Sequence, residues 1–246
     1  MQQIVRRYAR CQRDNAEYEG VLDGDTFVAG AARWPIADVR LLAPCSPSKI
    51  VGVGRNYAEH AAEMGNPLPK EPLLFFKPPS SLLDPGGTIL LPPQSREVHY
   101  EGELGVVIGR RCHRVPKADA FDVVWGYTIC NDITARDLQK SDQQWARAKG
   151  MDTFGPFGPC IASGLDPSRL RVQSYLNGDL RQNAATSSLI FDVPTLIEYI
   201  SAAFTLERGD VITTGTPQGV GPLQPGDVVE VRIDEIGALR NTVAAA

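Results

Sequence analysis

Two glutamates stand one residue apart in the run HYEGELGVVIG, His99 to Gly109. On a β-strand, residues i and i+2 point to the same face, so Glu101 and Glu103 are expected side by side. Two carboxylates that close repel unless one holds a proton or a cation lies between them. A solvated strand face would make the pair inconsequential. Here, however, the run continues as LGVVIG, which reads as buried, and Gly102 between the glutamates leaves room for a ligand. Buried paired carboxylates suit a hard divalent ion such as Mg²⁺, Mn²⁺ or Ca²⁺ better than zinc.

A third oxygen ligand is offered by GYTICNDITARD, where a β-like run ends at Asn131 and Asp132. Asp132 is either a helix N-cap or a ligand. Thr134 with Asp137 already forms a T-x-x-D capping pair, which leaves Asp132 free to turn toward a site. Three carboxylates plus waters would keep positions open for a bidentate substrate.

The stretch KIVGVGRNYAEHAAEMG, Lys49 to Gly65, invites a nucleotide reading. A dinucleotide fingerprint needs a small residue where Tyr57 stands, and an acidic residue ending the next strand, where LLFFK ends in Lys77. The glycines are therefore read as a tight strand-to-helix turn, with Asn56 and Glu59 as a box-like cap. His60 and Glu63 lie three apart on that turn, so their side chains can meet. A carboxylate partner orients an imidazole and keeps it basic, and such a pair can deprotonate water; the competing reading is a structural or exposed histidine.

The elements that must position these groups are mostly short β-type runs separated by turns, including the hairpin candidate at Asn177 to Asp179. Helical spacing is confined to Asn56–Met64, Thr134 to about Lys149, and Val193–Phe204. With no repeating strand–helix alternation, this predicts a β-rich α+β fold. Residues 1–45 read as a small N-terminal β unit and 46–246 as the catalytic domain. The net charge of −4 and pI near 5.5 argue against a general nucleic-acid binder. Five cysteines without a C-x-x-C pair argue against a disulfide scaffold or a thiolate zinc site. The N-terminus lacks an apolar signal core, and no stretch has the roughly 20 apolar residues of a membrane helix, so the expected compartment is the cytoplasm.

Taken in order, GRNYAEHAAEMG, YEGELGVVIG, GYTICNDITARD, KGMDTFGPFGP and TTGTPQGVGPLQPGD resemble the fumarylacetoacetate hydrolase superfamily, from Lys49 to about Val243. The resemblance implies a mixed, rolled β-sheet with few helices, usually in a homodimer. It also implies Mg²⁺ or Mn²⁺ on Glu101, Glu103 and Asp132, and a water-activating dyad of His60 and Glu63 on a mobile lid spanning Asn56 to Pro69. Lys149 would hold developing negative charge, although a lysine at a helix C-terminus can equally be a solvated charge. Thr216, Arg55 and Asp152 would contact substrate; a plain turn and a surface arginine are the bland alternatives for Thr216 and Arg55. The implied substrates are small 2-oxo or 2,4-dioxo carboxylic acids. C–C bond hydrolysis of an acylpyruvate or a fumarylacetoacetate-like compound is the first expectation, with isomerisation or decarboxylation as alternatives. From another class, the chain could be an inactive metal-binding module, against which the intact His60–Glu63 pair and Lys149 speak.

Overall fold

The computed structural model describes residues 4–65 and 67–246. The chain opens with a meander of β1 (Arg6–Arg13), β2 (Ala16–Asp23), β3 (Thr26–Ala29) and β4 (Ala32–Pro35), followed by β5 (Arg40–Leu42). Next come β6 (Ile50–Gly54), α1 (Ala58–Glu63), β7 (Leu73–Lys77), β8 (Leu82–Leu83) and β9 (Thr88–Leu91). The middle of the chain forms β10 (Val98–Tyr100), β11 (Gly102–Ile108), β12 (Val124–Asn131), β13 (Thr134–Ala135), α2 (Arg136–Ser141) and α3 (Ala146–Gly150). It ends with β14 (Gly155–Ser163), β15 (Arg171–Leu176), β16 (Asp179–Ala185), α4 (Val193–Ala203), β17 (Val211–Thr213), β18 (Gly221–Pro222), β19 (Val228–Ile233) and β20 (Gly237–Ala245).

The largest sheet has 12 strands, ordered β4-β3-β2-β1-β14-β12-β11-β17-β6-β7, with β5 and β8 attached to β1 and β14. A five-stranded sheet, β16-β15-β19-β20-β9, and a three-stranded one, β13-β10-β18, complete the β-rich fold. Pairing is mixed: β17–β6 is parallel, while β11 is antiparallel to both β12 and β17. Every residue of β11 is buried, as its LGVVI run requires of a strand covered on both faces. The strands of the N-terminal unit extend this sheet, because β1 pairs antiparallel with β14. Met1 to Gln3 of that unit lie outside the described residues.

The Asn177–Gly178 turn closes β15 onto β16 as the sequence predicts, with both residues at positive φ. Helix α4 also follows its pattern: Asp192 caps it by accepting from Thr195 N at 2.9 Å, and Val193, Leu196, Ile197 and Ile200 form its buried stripe. The helix expected over Thr134 to Lys149 is instead a short strand and two short helices. A continuous helix would hold Arg136 and Lys149 about 20 Å apart along its axis, yet here both reach the same carboxylate. Thr134 and Asp137 do not cap it either. Thr134 Oγ1 donates to Asp132 O at 2.8 Å, and Asp137 receives Ser95 Oγ at 2.6 Å and Arg96 N at 2.9 Å. No described helix is long and apolar enough to cross a membrane.

Asp210 ties the start of β17 to the start of β6, the strand that leads to the site. Its carboxylate accepts from Ser48 N at 3.0 Å, Ser48 Oγ at 2.7 Å and Glu207 N at 2.8 Å, and pairs with Lys49 Nζ. Burial alone would raise its pKa, but the Lys49 ammonium and these donors outweigh burial and hold it below the ordinary value. A depressed folded pKa contributes stability above the unfolded pKa of about 3.9, and that stability is lost as pH falls through the folded value. Asp210→Asn is expected to lower stability at pH 7 by roughly 2–4 kcal/mol and to differ less from wild type near pH 3. Urea unfolding at both pH values checks this; equal stability at pH 7 would show that the pair contributes nothing.

Candidate active site and metal centre

Strand ends from three parts of the sheet converge on one cavity of about 340 Å³. Glu103 comes from β11, Glu101 from the junction before it, and Asp132 from just beyond β12, where Asp132 N bonds Glu101 O at 2.8 Å. One carboxylate oxygen from each lies within 4.8 Å of the others, and all three residues are buried. The strand alternation inferred from sequence therefore holds across the β10–β11 junction. Gly102, however, makes room for protein and not for a ligand: a Cβ there would meet Ser174 Oγ at 2.2 Å.

Three cations, two of them lysines, surround this triad. Lys149 Nζ lies 2.8 Å from Glu101 Oε2 and 2.5 Å from Asp132 Oδ2. Arg136 pairs with the other Glu101 oxygen, and Lys77 Nζ is 2.6 Å from Asp132 Oδ1. Burial would raise the Glu101 pKa, but Lys149 and Arg136 hold it well below the usual carboxylate range. Burial likewise works against charge on Lys149, and Asp132 and Glu101 overcome it. On Lys77 burial wins and lowers the pKa.

Glu103 is the exception. Among the described residues no ion pair reaches it, and Gly215 N donates to its Oε2 at 2.8 Å. Burial, then the neighbouring Asp132 and Glu101 carboxylates, raise its pKa well above the ordinary value. A divalent cation among the three oxygens would relieve that repulsion, so the donor set fits a hard ion. Cys130, adjacent in β12, is not part of this cluster; it packs in the core with Ile50, Phe157 and Val211.

The opening glycines do not form the turn. Gly52 and Gly54 lie within β6, where a Cβ on Gly52 would meet the Phe75 ring at 2.2 Å, and one on Gly54 would meet Trp145 at 3.1 Å. Those two rings pack 5.6 Å apart, and Lys149 Nζ sits 4.8 Å over Phe75, so the missing side chains admit the aromatic wall that carries the lysine. The turn itself falls at Arg55, with φ +59°. Arg55 lines the cavity, and no ion pair is formed by it among the described residues.

Asn56 does not cap α1 as expected. Its amide donates to Phe191 O at 3.0 Å and Thr214 O at 2.8 Å, and its carbonyl accepts from Phe191 N at 2.7 Å, pinning the base of the α1 segment to the sheet. Helix α1 places His60, 5% exposed, in the cavity wall, with Nδ1 3.1 Å from Glu63 Oε2. Gly219 N donates to the same carboxylate at 3.0 Å. Within the expected lid, Asn66 lies outside the described residues.

Thr216, just beyond β17, lines the cavity. Asp152 is exposed and outside the cavity wall, because the chain between the buried Lys149 and Phe154 loops outward. Sequence reasoning missed Lys77, Arg136 and Trp145. A lysine ending the apolar run LLFFK was the one available signal for Lys77.

Three buried carboxylates whose oxygens lie within 4.8 Å of one another, a histidine paired with a carboxylate, and flanking cations thus meet at one cavity, a combination suited to metal-assisted acid–base chemistry. Residues 49–244 match the family model described as "Fumarylacetoacetate (FAA) hydrolase C-terminal", and the chain belongs to that family. It is 42% identical to the oxaloacetate tautomerase YisK of Bacillus subtilis, over 92% of this chain and 85% of that protein. Among solved structures, a 5-carboxymethyl-2-hydroxymuconate delta-isomerase from Mycobacterium smegmatis superposes with a TM-score of 0.91 at 45% identity, covering 98% of this chain and 99% of that one. A maleylpyruvate hydrolase from Sphingobium, in complex with manganese(II) and pyruvate, gives 0.84 at 33% identity, covering 98% and 99%.

Proposed function

We propose that the protein is a Mg²⁺- or Mn²⁺-dependent enzyme acting on 2-oxo carboxylic acids and their enols, with enol–keto tautomerisation or the related double-bond isomerisation as its principal reaction. The observation that carries this reading is His60, held by Glu63 and placed in the wall of the cavity that the three carboxylates also line. The relatives named for tautomerase and isomerase activity, at 42% and 45% identity, support it over the hydrolase at 33%.

A divalent ion on Glu101, Glu103 and Asp132 would supply a Lewis acid beside the substrate's oxo oxygen. The chain's own groups do the rest. Glu63 accepts a hydrogen bond from Nδ1–H of His60, which fixes the tautomer and leaves the Nε2 lone pair to take the proton from the enol oxygen and deliver it to the neighbouring carbon, or the reverse. Lys149 and Arg136 place fixed positive charge where an enolate develops, and Arg55, without an ion-pair partner among the described residues, is available for a substrate carboxylate. Phe75 and Trp145 make part of the wall apolar, which strengthens those interactions.

C–C hydrolysis is the second reading, favoured because Nε2 can equally take a proton from water. The test is purified protein with Mg²⁺ or Mn²⁺ on oxaloacetate, an acylpyruvate, fumarylacetoacetate and an unsaturated 2-hydroxy-dienoic diacid. Loss of oxaloacetate enol absorbance at least ~10²-fold faster than with metal alone is expected. Faster acylpyruvate cleavage than tautomerisation would transfer the assignment to hydrolysis, and no turnover of any substrate would leave only a binding module.

A further inference from the structure

Behind the cavity wall, Gln182 of β16 is wholly buried and uses all of its hydrogen-bonding capacity. Its Oε1 accepts from Gly102 N at 2.9 Å and Ser174 Oγ at 2.7 Å, while its Nε2 donates to Thr216 Oγ1 at 2.8 Å and Pro217 O at 2.7 Å. The amide cannot be flipped, because Gly102 N–H can only donate and the Pro217 carbonyl can only accept. Thr216 Oγ1 therefore receives a proton from Gln182, and its own proton goes to Gly102 O at 3.0 Å. A hydroxyl has one proton and two lone pairs, so Thr216 has one lone pair left for the cavity it lines.

We propose that Gln182 is a positioning residue that locks Thr216 as a hydrogen-bond acceptor, so that the cavity favours the enol or 2-hydroxy form of a carboxylic acid over the oxo form. The enol or hydroxy form has an O–H to give to that lone pair; the oxo form has none. This rests on the function proposed above, which places 2-oxo acids and their enols in this cavity. The lock also links the chain between two metal-site carboxylates, at Gly102, to the loop that faces substrate.

Two small probes separate the cases: glycolate, a carboxylate with a neighbouring hydroxyl, and oxalate, which has no hydroxyl. Their dissociation constants are measured by calorimetry on the Mn²⁺-loaded protein. Thr216→Val is expected to weaken glycolate ~5- to 10-fold and leave oxalate within about twofold, the scale of one hydrogen bond. Thr216→Ser, which keeps the hydroxyl, should restore glycolate. Gln182→Met leaves the Thr216 proton on Gly102 O but removes the donor that holds the hydroxyl in place, so it should weaken glycolate in the same direction as Thr216→Val and leave oxalate within about twofold; if it fails to fold, the two Thr216 variants decide alone. Equal or greater loss of oxalate in Thr216→Val would overturn the inference, since Thr216 would then be a donor. Weakened Mn²⁺ binding in that variant without either probe would also overturn it, because the lone pair would serve the ion. Failure of both probes to bind the wild type would instead remove the proposed function, and this inference with it.

Discussion

Glu103→Gln is expected to reduce kcat/KM by roughly 10³-fold or more and to abolish tight Mn²⁺ binding while the protein stays folded. The ion's share of transition-state stabilisation is several kcal/mol, which sets the scale. What separates Glu103 from the other two carboxylates is its surroundings. Truncating Glu101 would leave the buried Arg136 without its ion-pair partner and Lys149 with Asp132 alone, at a cost of about 3–5 kcal/mol in stability, so loss of activity there would confound ligand loss with unfolding. Among the described residues no cation is ion-paired to Glu103, and its pKa is raised by burial and by Asp132 and Glu101. An acid whose folded pKa is raised costs stability as pH rises above its unfolded pKa. The neutral carboxamide should therefore leave the metal-free melting temperature at neutral pH unchanged or higher, while the increase that Mn²⁺ gives the wild type disappears. Calorimetric Mn²⁺ titration with melting curves in EDTA and in Mn²⁺ makes the comparison. Wild-type Mn²⁺ affinity in this variant would exclude Glu103 as a ligand.

His60→Ala is expected to lower kcat/KM by ~10²- to 10⁴-fold, the usual worth of a positioned general base, while Mn²⁺ affinity stays close to wild type. His60 reaches the cavity from α1, and neither it nor Glu63 belongs to the carboxylate cluster. Glu63→Gln should lose less, because a carboxamide oxygen can still accept from Nδ1 but no longer supplies negative charge to an imidazolium. Tautomerisation of oxaloacetate and cleavage of an acylpyruvate should be followed in the same preparations. If both reactions run in His60→Ala at wild-type rates with Mn²⁺ saturating, the base lies elsewhere and the proposed proton route fails.

Much of the candidate metal site was legible locally. The spacing of Glu101 and Glu103 is a period-two signal that any extended backbone converts into a shared face, and Asp132 ends a β-like run whatever strand lies beside it. The His60–Glu63 pair needed one helical turn, and α4 needed only its apolar stripe and Asp192. The short strand-like runs without strand–helix alternation already indicated a β-rich fold, and the ordered motifs identified the family.

Tertiary structure decided which side chains meet across the sheets. Lys77, Arg136 and Lys149 pair with carboxylates from other elements, and no local period specifies that β11 runs between β12 and β17. Local rules also misjudged residues that such contacts claimed. Asn56 and Thr134 look like helix caps, but loop carbonyls took their donors. Gly52 and Gly54 look like a turn, but the rings of Phe75 and Trp145, brought from distant parts of the chain, require their missing side chains. The amino-acid sequence by itself determined the chemistry available, three carboxylates and a histidine–glutamate pair at strand and helix spacing. Only the tertiary structure decided their electrostatics: burial excludes water, three cations gather on two of the carboxylates, and Glu103 is left among like charges.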